Sequence, residues 1–507
     1  MQTFLLFPLL LAVKKIVSVN AVCNLPSTGT HDITTSCVTT KTVIPDNHLS
    51  VSGQSIEQTI ITANDRSLHM FSVPDFCSLI LNDLTLSGGS VMPGDASGVS
   101  LIKLSKSATL LKATNVKFMH GSANIGGAIY GNEQDDRTIL VSCIFYRNVA
   151  SHGGAFFGNI KAVSCTFQEN TATIGGALFY GHNHRLFINS STFDRNTATY
   201  QGGVAYADTA QGPFGQTTPK KSIQLFLHNV TVKDNSAPFG GVVYLSGFDS
   251  GITVTKSTFL RNKATSKGGV FFASGQIKIK QSQIIDSSCT VPDSLVPNEA
   301  GQGGAIFVAD GTVVLDDVWI TGSTVSGRGG AIYTRPGTDL SVSKSTFIGN
   351  TAAEGSAIFN EGALRIRSSF ILQNRIAPSL LKAPVIVAGC KASNPCAIGR
   401  TDCNMDGDCE QGLICYQRQG DPSKKYRVPG VELRNPANVV CSISNPCSAT
   451  TGNDRICYEG FCDLVPFNWG ICTSDPETFA SALCSRTAAT GNIVWVFNRV
   501  QAHLVKV

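Results

Sequence analysis

The residues best suited to chemistry stand two positions apart late in the chain: Lys278 and Lys280, then Asp316, then Arg365 and Arg367. That spacing puts both members of a pair on one side of an extended strand. Cations in a row with one carboxylate suit an anionic polysaccharide, gripped through charge-assisted hydrogen bonds. Elimination from such a polymer needs a base of near-neutral pKa beside a charge-neutralising cation. Hydrolysis needs two carboxylates facing one bond. Asp316 and Asp317 are neighbours, and neighbours on a continuing strand point to opposite sides. The strip reads first as a solvated face and second as a binding or catalytic one. No catalytic residue is assigned.

Other chemistry-bearing groups fall short of a site. Asp402-x-Asn404-x-Asp406-Gly407 begins like a calcium-binding loop, but Leu413 stands where a bidentate glutamate belongs. His182-x-His184 lacks further ligands nearby, so no metal or cofactor is expected. No nucleophile elbow, phosphate loop or dinucleotide fingerprint occurs in a strand–helix setting. Cys143 and Cys165 each stand two residues before a recurring Phe, which predicts a disulfide or at least a contact between adjacent coils. Cys23 and Cys37 can close a loop, and Cys77 and Cys289 have no evident partner. Asn189 and Asn229 open glycosylation sequons, usable in a eukaryotic secretory pathway.

The elements that position these groups are set by a repeat. Phe145-Tyr-Arg-Asn148 leads to Gly153-Gly-Ala-Phe-Phe157, and Phe167-Gln-Glu-Asn170 to Gly175-Gly-Ala-Leu-Phe179. The pattern recurs through Phe193, Phe259 and Phe347. Five and seven residues before each anchor stand apolar residues, such as Leu186 and Ile188 before Phe193. Two columns two apart are strand alternation with one face inward. Each repeat reads as about three short strands and three turns, and stacking such coils buries a continuous core. A dozen coils at about 4.8 Å each give a rod of roughly 55–60 Å. Asn148, Asn170, Asn196, Asn235, Asn262, Asn350 and Asn374 fall at one turn, where stacked amides form a ladder and a left-handed backbone is tolerated. Gly-Gly allows the next corner.

The F-x-x-N and G-G-A-[ILV] elements resemble the repeat of the chlamydial polymorphic membrane proteins and of similar right-handed parallel β-helix domains of pectin-lyase-like shape. The resemblance covers about half of the chain and implies the rod. It implies adhesion more weakly, since the outer-membrane barrel strands of those adhesins have no counterpart after residue 380. Cys403-x5-Cys409-x5-Cys415-Tyr-Gln-Arg418 resembles a short cysteine-rich module of extracellular proteins of diatoms and related algae. A Val-Pro-Gly-Cys follows in that module; here Val431 replaces the cysteine, which leaves a partner over and suits the odd total of 17.

Composition narrows the setting. Formal net charge is +5 with 15% charged residues, too mild for a nucleic-acid partner. Eleven of the 17 cysteines lie between Cys390 and Cys484, which points to an oxidising compartment. The apolar run Phe4 to Val13, with Val19-Asn20-Ala21 after it, reads as a leader, and no later stretch is long enough to span a membrane as a helix. The chain thus reads as all-β: a leader (1–21), a cap with leading coils (22–110), a right-handed parallel β-helix (111–377), a linker (378–389), a small disulfide-rich module (390–485) and a terminal stretch (486–507). The expected role is an extracellular or cell-surface structural or adhesin-like rod, non-catalytic, presenting a surface to a cell-wall or extracellular polysaccharide or a surface protein. The alternative is a lyase or hydrolase acting on an acidic polysaccharide.

Overall fold

A computed structural model describes residues 22–65, 67–88, 98–105, 109–131, 137–180, 185–208, 223–290 and 301–376, with the backbone of short strands between 401 and 485. The expected leader, the linker, the His182–His184 pair and the side chains of the calcium-loop-like stretch and cysteine-rich module lie outside the described residues. Among the described residues there is no helix.

The chain winds as a right-handed parallel β-helix. One wall runs through twelve successive parallel pairings, from Gly29–Asp32 to Ala363–Arg367. Twelve steps of about 4.8 Å make the rod close to 58 Å long. Pairing is in register: Phe145 lies between Phe118 and Phe167, and Leu140 between Ala113 and Ala162. Register follows from the apolar columns, because a one-residue slip would turn every inward side chain to water. Leu186, Ile188, Phe193 and Ala198 are all buried in this way.

Each full coil has four strands rather than the expected three. One coil runs Thr138–Val141, Ile144–Tyr146, Val149–His152 and Phe156–Phe157. The bend that divides the first two consists of a single residue with positive φ three before the anchor: Ser142, Ser164, Asn229, Lys256, Asp317 and Lys344 among others. These residue types share no signature, so the bend is silent in the sequence. It also corrects the reading of Asp316 and Asp317, since the strand turns at Asp317 (φ 58°) and does not alternate through it.

A second left-handed bend falls two residues after the anchor, at Arg147, Glu169, Arg195, Asp234 and Arg261. The recurring Asn comes one residue later and is not itself left-handed. Its side chain points inward and is fully buried at Asn148, Asn170, Asn196, Asn235 and Asn262. Asn196 Nδ2 donates to Phe167 O (2.9 Å) and to Asn235 Oδ1 (3.0 Å), while its Oδ1 accepts from Asn170 N (3.1 Å) and Nδ2 (2.9 Å). The ladder runs from Asn148 to Asn262, lapses at Ser287 and Ser323, and resumes at Asn350 and Asn374. Ser is too short to reach the next coil. Both hydroxyls are buried without a partner.

Gly-Gly has a steric cause at the third corner. Gly175 has φ +65°, and a Cβ on Gly176 would lie 2.2 Å from Gly203 O. Two aromatic ribs run along the rod. Phe118, Phe145, Phe167 and Phe193 stack inside at 4.7–4.8 Å. A longer rib of nine rings, from Tyr130 through Phe157, Phe179, Tyr206, Tyr244, Phe272, Phe307 and Tyr333 to Phe359, stacks outside the main core beside the Gly-Gly corner.

Candidate functional surface

The wall before the first bend is an outer surface of the rod built on the twelve parallel pairings. Its outward positions are those six and four residues before the anchor, with the next one outward again at eight. Pairing puts Lys278 beside Val314, then Ser341, then Arg365; it puts Lys280 beside Asp316, then Ser343, then Arg367. The five predicted residues therefore share one face in two columns. The lysine pair and the arginine pair are three coils apart, about 14 Å along the axis. All four cations are exposed. Lys280 Nζ lies 4.0 Å from Asp316 Oδ2, and Ser343 Oγ donates to Asp316 Oδ1 at 3.0 Å.

The same face carries residues that the sequence reading passed over. Lys112, Lys161 and Arg185 point outward on earlier coils, giving seven Lys or Arg with Lys278, Lys280, Arg365 and Arg367. Asp32, Asp316 and Asp339 oppose them at outward positions of the wall. Phe187 and Phe226 stand in the Lys278 column and stack at 4.8 Å with an interplanar angle of 3°. Phe187 is 39% exposed. A phenyl ring is ordinarily turned inward, so an exposed stacked pair on a sheet face is a feature to explain. The signal for all of them was their shared place six or eight residues before the anchor.

Asp316 and Asp339 do not form a catalytic pair. Asp316 pairs with Ser343, four residues along the strand from Asp339. Four residues at about 3.3 Å and one coil of about 4.8 Å put the two positions roughly 14 Å apart. Inverting hydrolases hold their carboxyls about 6.5–9.5 Å apart and retaining ones closer. No group of three or more His, Cys, Asp or Glu able to hold a metal occurs among the described residues.

The second bend bears alternating charges, one per coil: Arg147, Glu169, Arg195, Asp234, Arg261 and Asp286. Arg147 Nε lies 2.7 Å from Glu169 Oε2, and Arg195 Nη2 3.0 Å from Oε1. Arg261 donates to both oxygens of Asp234 at 2.8 Å. The Arg147 hydrogen bond, joined by Arg195, holds the Glu169 carboxyl below its usual range, and Arg261 does the same for Asp234. The alternation cancels charge on that edge. The unbalanced positive charge is left to the wall before the first bend.

Cys23 and Cys37 are joined by a disulfide. Cys143 and Cys165 are not; of the bridge or contact expected for them, the structure has the contact, between buried free thiols. Both stand in the gap between the first two strands of their coils, outside the paired residues. Each sulfur contacts backbone oxygens, Cys143 Sγ those of Ala113 and Val141 and Cys165 Sγ those of Leu140 and Val163. Burial pushes the Cys143 thiol up. Cys77 and Cys289 are also buried and free. Asn189 is exposed at the end of a wall strand and Asn229 is exposed at the first bend, where its Nδ2 donates to Ser190 Oγ at 3.1 Å.

No protein-family model matches the chain, and no curated protein matches it. Among solved structures, it is similar to the A-module of the Azotobacter vinelandii mannuronan C-5 epimerase AlgE6, with 14% identity, a TM-score of 0.30, and 69% of this chain and 91% of that one covered. The A-module of AlgE4 from the same organism gives 10% identity, a TM-score of 0.24, and 69% and 90% coverage.

Proposed function

We propose that the protein is an extracellular, non-catalytic rod whose basic wall binds an acidic polysaccharide. The observation that carries this reading is the segregation of charge. Seven cations face three carboxylates on one wall, while the charges of the second bend alternate in sign and pair with one another. Cations repeating along the axis suit a ligand that is itself a repeating polyanion. The stacked, exposed Phe187 and Phe226 add an apolar platform for the face of a sugar ring.

Non-catalytic action is supported by the separation of Asp316 from Asp339 and by the engagement of Asp316 with Lys280 and Ser343. The Cys23–Cys37 disulfide fits an oxidising compartment. The resemblance of the repeat to that of surface adhesins fits a presenting role. A glycan-array screen of the full chain tests the proposal: uronic-acid or sulfated polymers are retained and their neutral counterparts are not. Equal retention of both would remove the charge argument. Phe187→Ala with Phe226→Ala separates the two contributions, weakening binding at every salt concentration rather than at low salt alone.

A further inference from the structure

We propose that the outer surface flanking the anchors on the last three coils is the seat of the chain's own C-terminal segment, residues 377–507. On the middle coils this wall is polar, with Thr166 and Gln168, Thr192 and Asp194, then Thr231 and Lys233. Towards the C-terminal end it turns apolar. Trp319 and Phe370 are 50% and 42% exposed in one column, and Ile348 and Leu372 stand half-buried beside them in the next. Thr346, between the two rings, is only 9% exposed. Aliphatic and aromatic side chains mixed on a flat surface are the composition of a protein-docking face.

The occupant follows from where the chain goes. The last strand of the rod, Arg375–Ile376, lies on the final coil. The sequence has 507 residues, so 131 follow residue 376 at this end. One of their segments, Leu483–Ser485, pairs in parallel with Ile358–Asn360. The chain is thus back on the terminal coils 107 residues after leaving them. Leu364, Ile366 and Ile371 of the last coil are only partly buried, so that end needs cover. A segment tethered to the terminal coils at residue 376 and again at Leu483–Ser485 reaches the patch at a far higher effective concentration than a second copy does. Seated there, it covers the apolar side of the last coils, while its Leu483–Ser485 strand pairs with the edge of Ile358–Asn360.

Hydroxyl-radical footprinting of the full chain tests this, with Tyr200 (51% exposed) and Phe187 (39% exposed) as internal references. Corrected for intrinsic ring reactivity, Trp319 and Phe370 should label about tenfold more slowly than the references at every protein concentration, as rings in a docked, water-excluded face do. Ile348→Lys with Leu372→Lys should restore labelling of Trp319 while Phe187 labels as before. Labelling of Trp319 and Phe370 at the reference rate overturns the proposal. Protection that disappears on dilution overturns it in favour of a second copy of the chain.

Discussion

Replacing Asn196 by Ser copies into the middle of the amide ladder the gap that Ser287 and Ser323 make further along. Asn196 is fully buried and its side chain takes part in four hydrogen bonds, donating to Phe167 O and Asn235 Oδ1 and accepting from Asn170 N and Asn170 Nδ2. At about 1 kcal/mol net for each bond, Asn196→Ser should cost about 4 kcal/mol. Urea unfolding followed by circular dichroism reads the loss as a fall in midpoint at constant slope. Hydrogen exchange localises it: the Asn170 amide loses its acceptor and should exchange faster, while that of Asn350, bonded to Asn374 Oδ1, should not change. The opposite substitution, Ser287→Asn, should stabilise by restoring the contact with Asn262. A loss below about 1 kcal/mol, with Asn170 protection unchanged, would refute the claim that the ladder holds the coils together.

Phe167→Ala opens the inner aromatic rib between Phe145 and Phe193 and should cost about 3–5 kcal/mol in the same unfolding assay. Gly176→Ala drives a Cβ to 2.2 Å from Gly203 O, a backbone atom, and should cost about 1–3 kcal/mol. Acid should weaken the fold in two steps. Burial depresses His69, His120 and His152, so the unfolded chain takes up their protons first and stability falls as pH drops below the ordinary value of 6.5. Glu169 and Asp234, depressed by their arginines, keep their contribution above 4.5 and 3.8 and lose it as pH falls through their lower folded values. Thermal melts between pH 7 and pH 3 read both steps. Cys77, Cys143, Cys165 and Cys289 should resist alkylation until the protein is denatured, as mass spectrometry of native and unfolded samples would record.

The inward half of the rod was legible in the sequence because one physical demand recurs in every coil. Phe145, Phe167 and Phe193, with Leu140, Ala162 and Ile188 before them, are buried where the two-residue alternation puts them. The amide ladder was legible too, but not its backbone. The left-handed residue is the one before each Asn, and Arg, Glu and Asp occupy it without a shared preference. The bend after the first strand was hidden in the same way, behind Ser142, Lys256 and Asp317. The Cys143–Cys165 contact was legible from the shared place before the anchor, but whether the thiols bond was not. On the basic wall, the later cations stood out as pairs. Lys112, Lys161, Phe187 and Phe226 did not, because each looks ordinary alone and gains meaning only when twelve pairings put it in a column.

The binding account rests on the basic wall. Titration calorimetry of the full chain with a polyuronate, over a range of salt and with product analysis of the polymer afterwards, tests it most directly. The account predicts binding that weakens as salt rises and falls at least about tenfold in Lys278→Glu, Lys280→Glu, Arg365→Glu, Arg367→Glu combined, with the polymer recovered at full length and without unsaturated ends. Undiminished binding by the fourfold variant, or a shortened or unsaturated polymer, would contradict it.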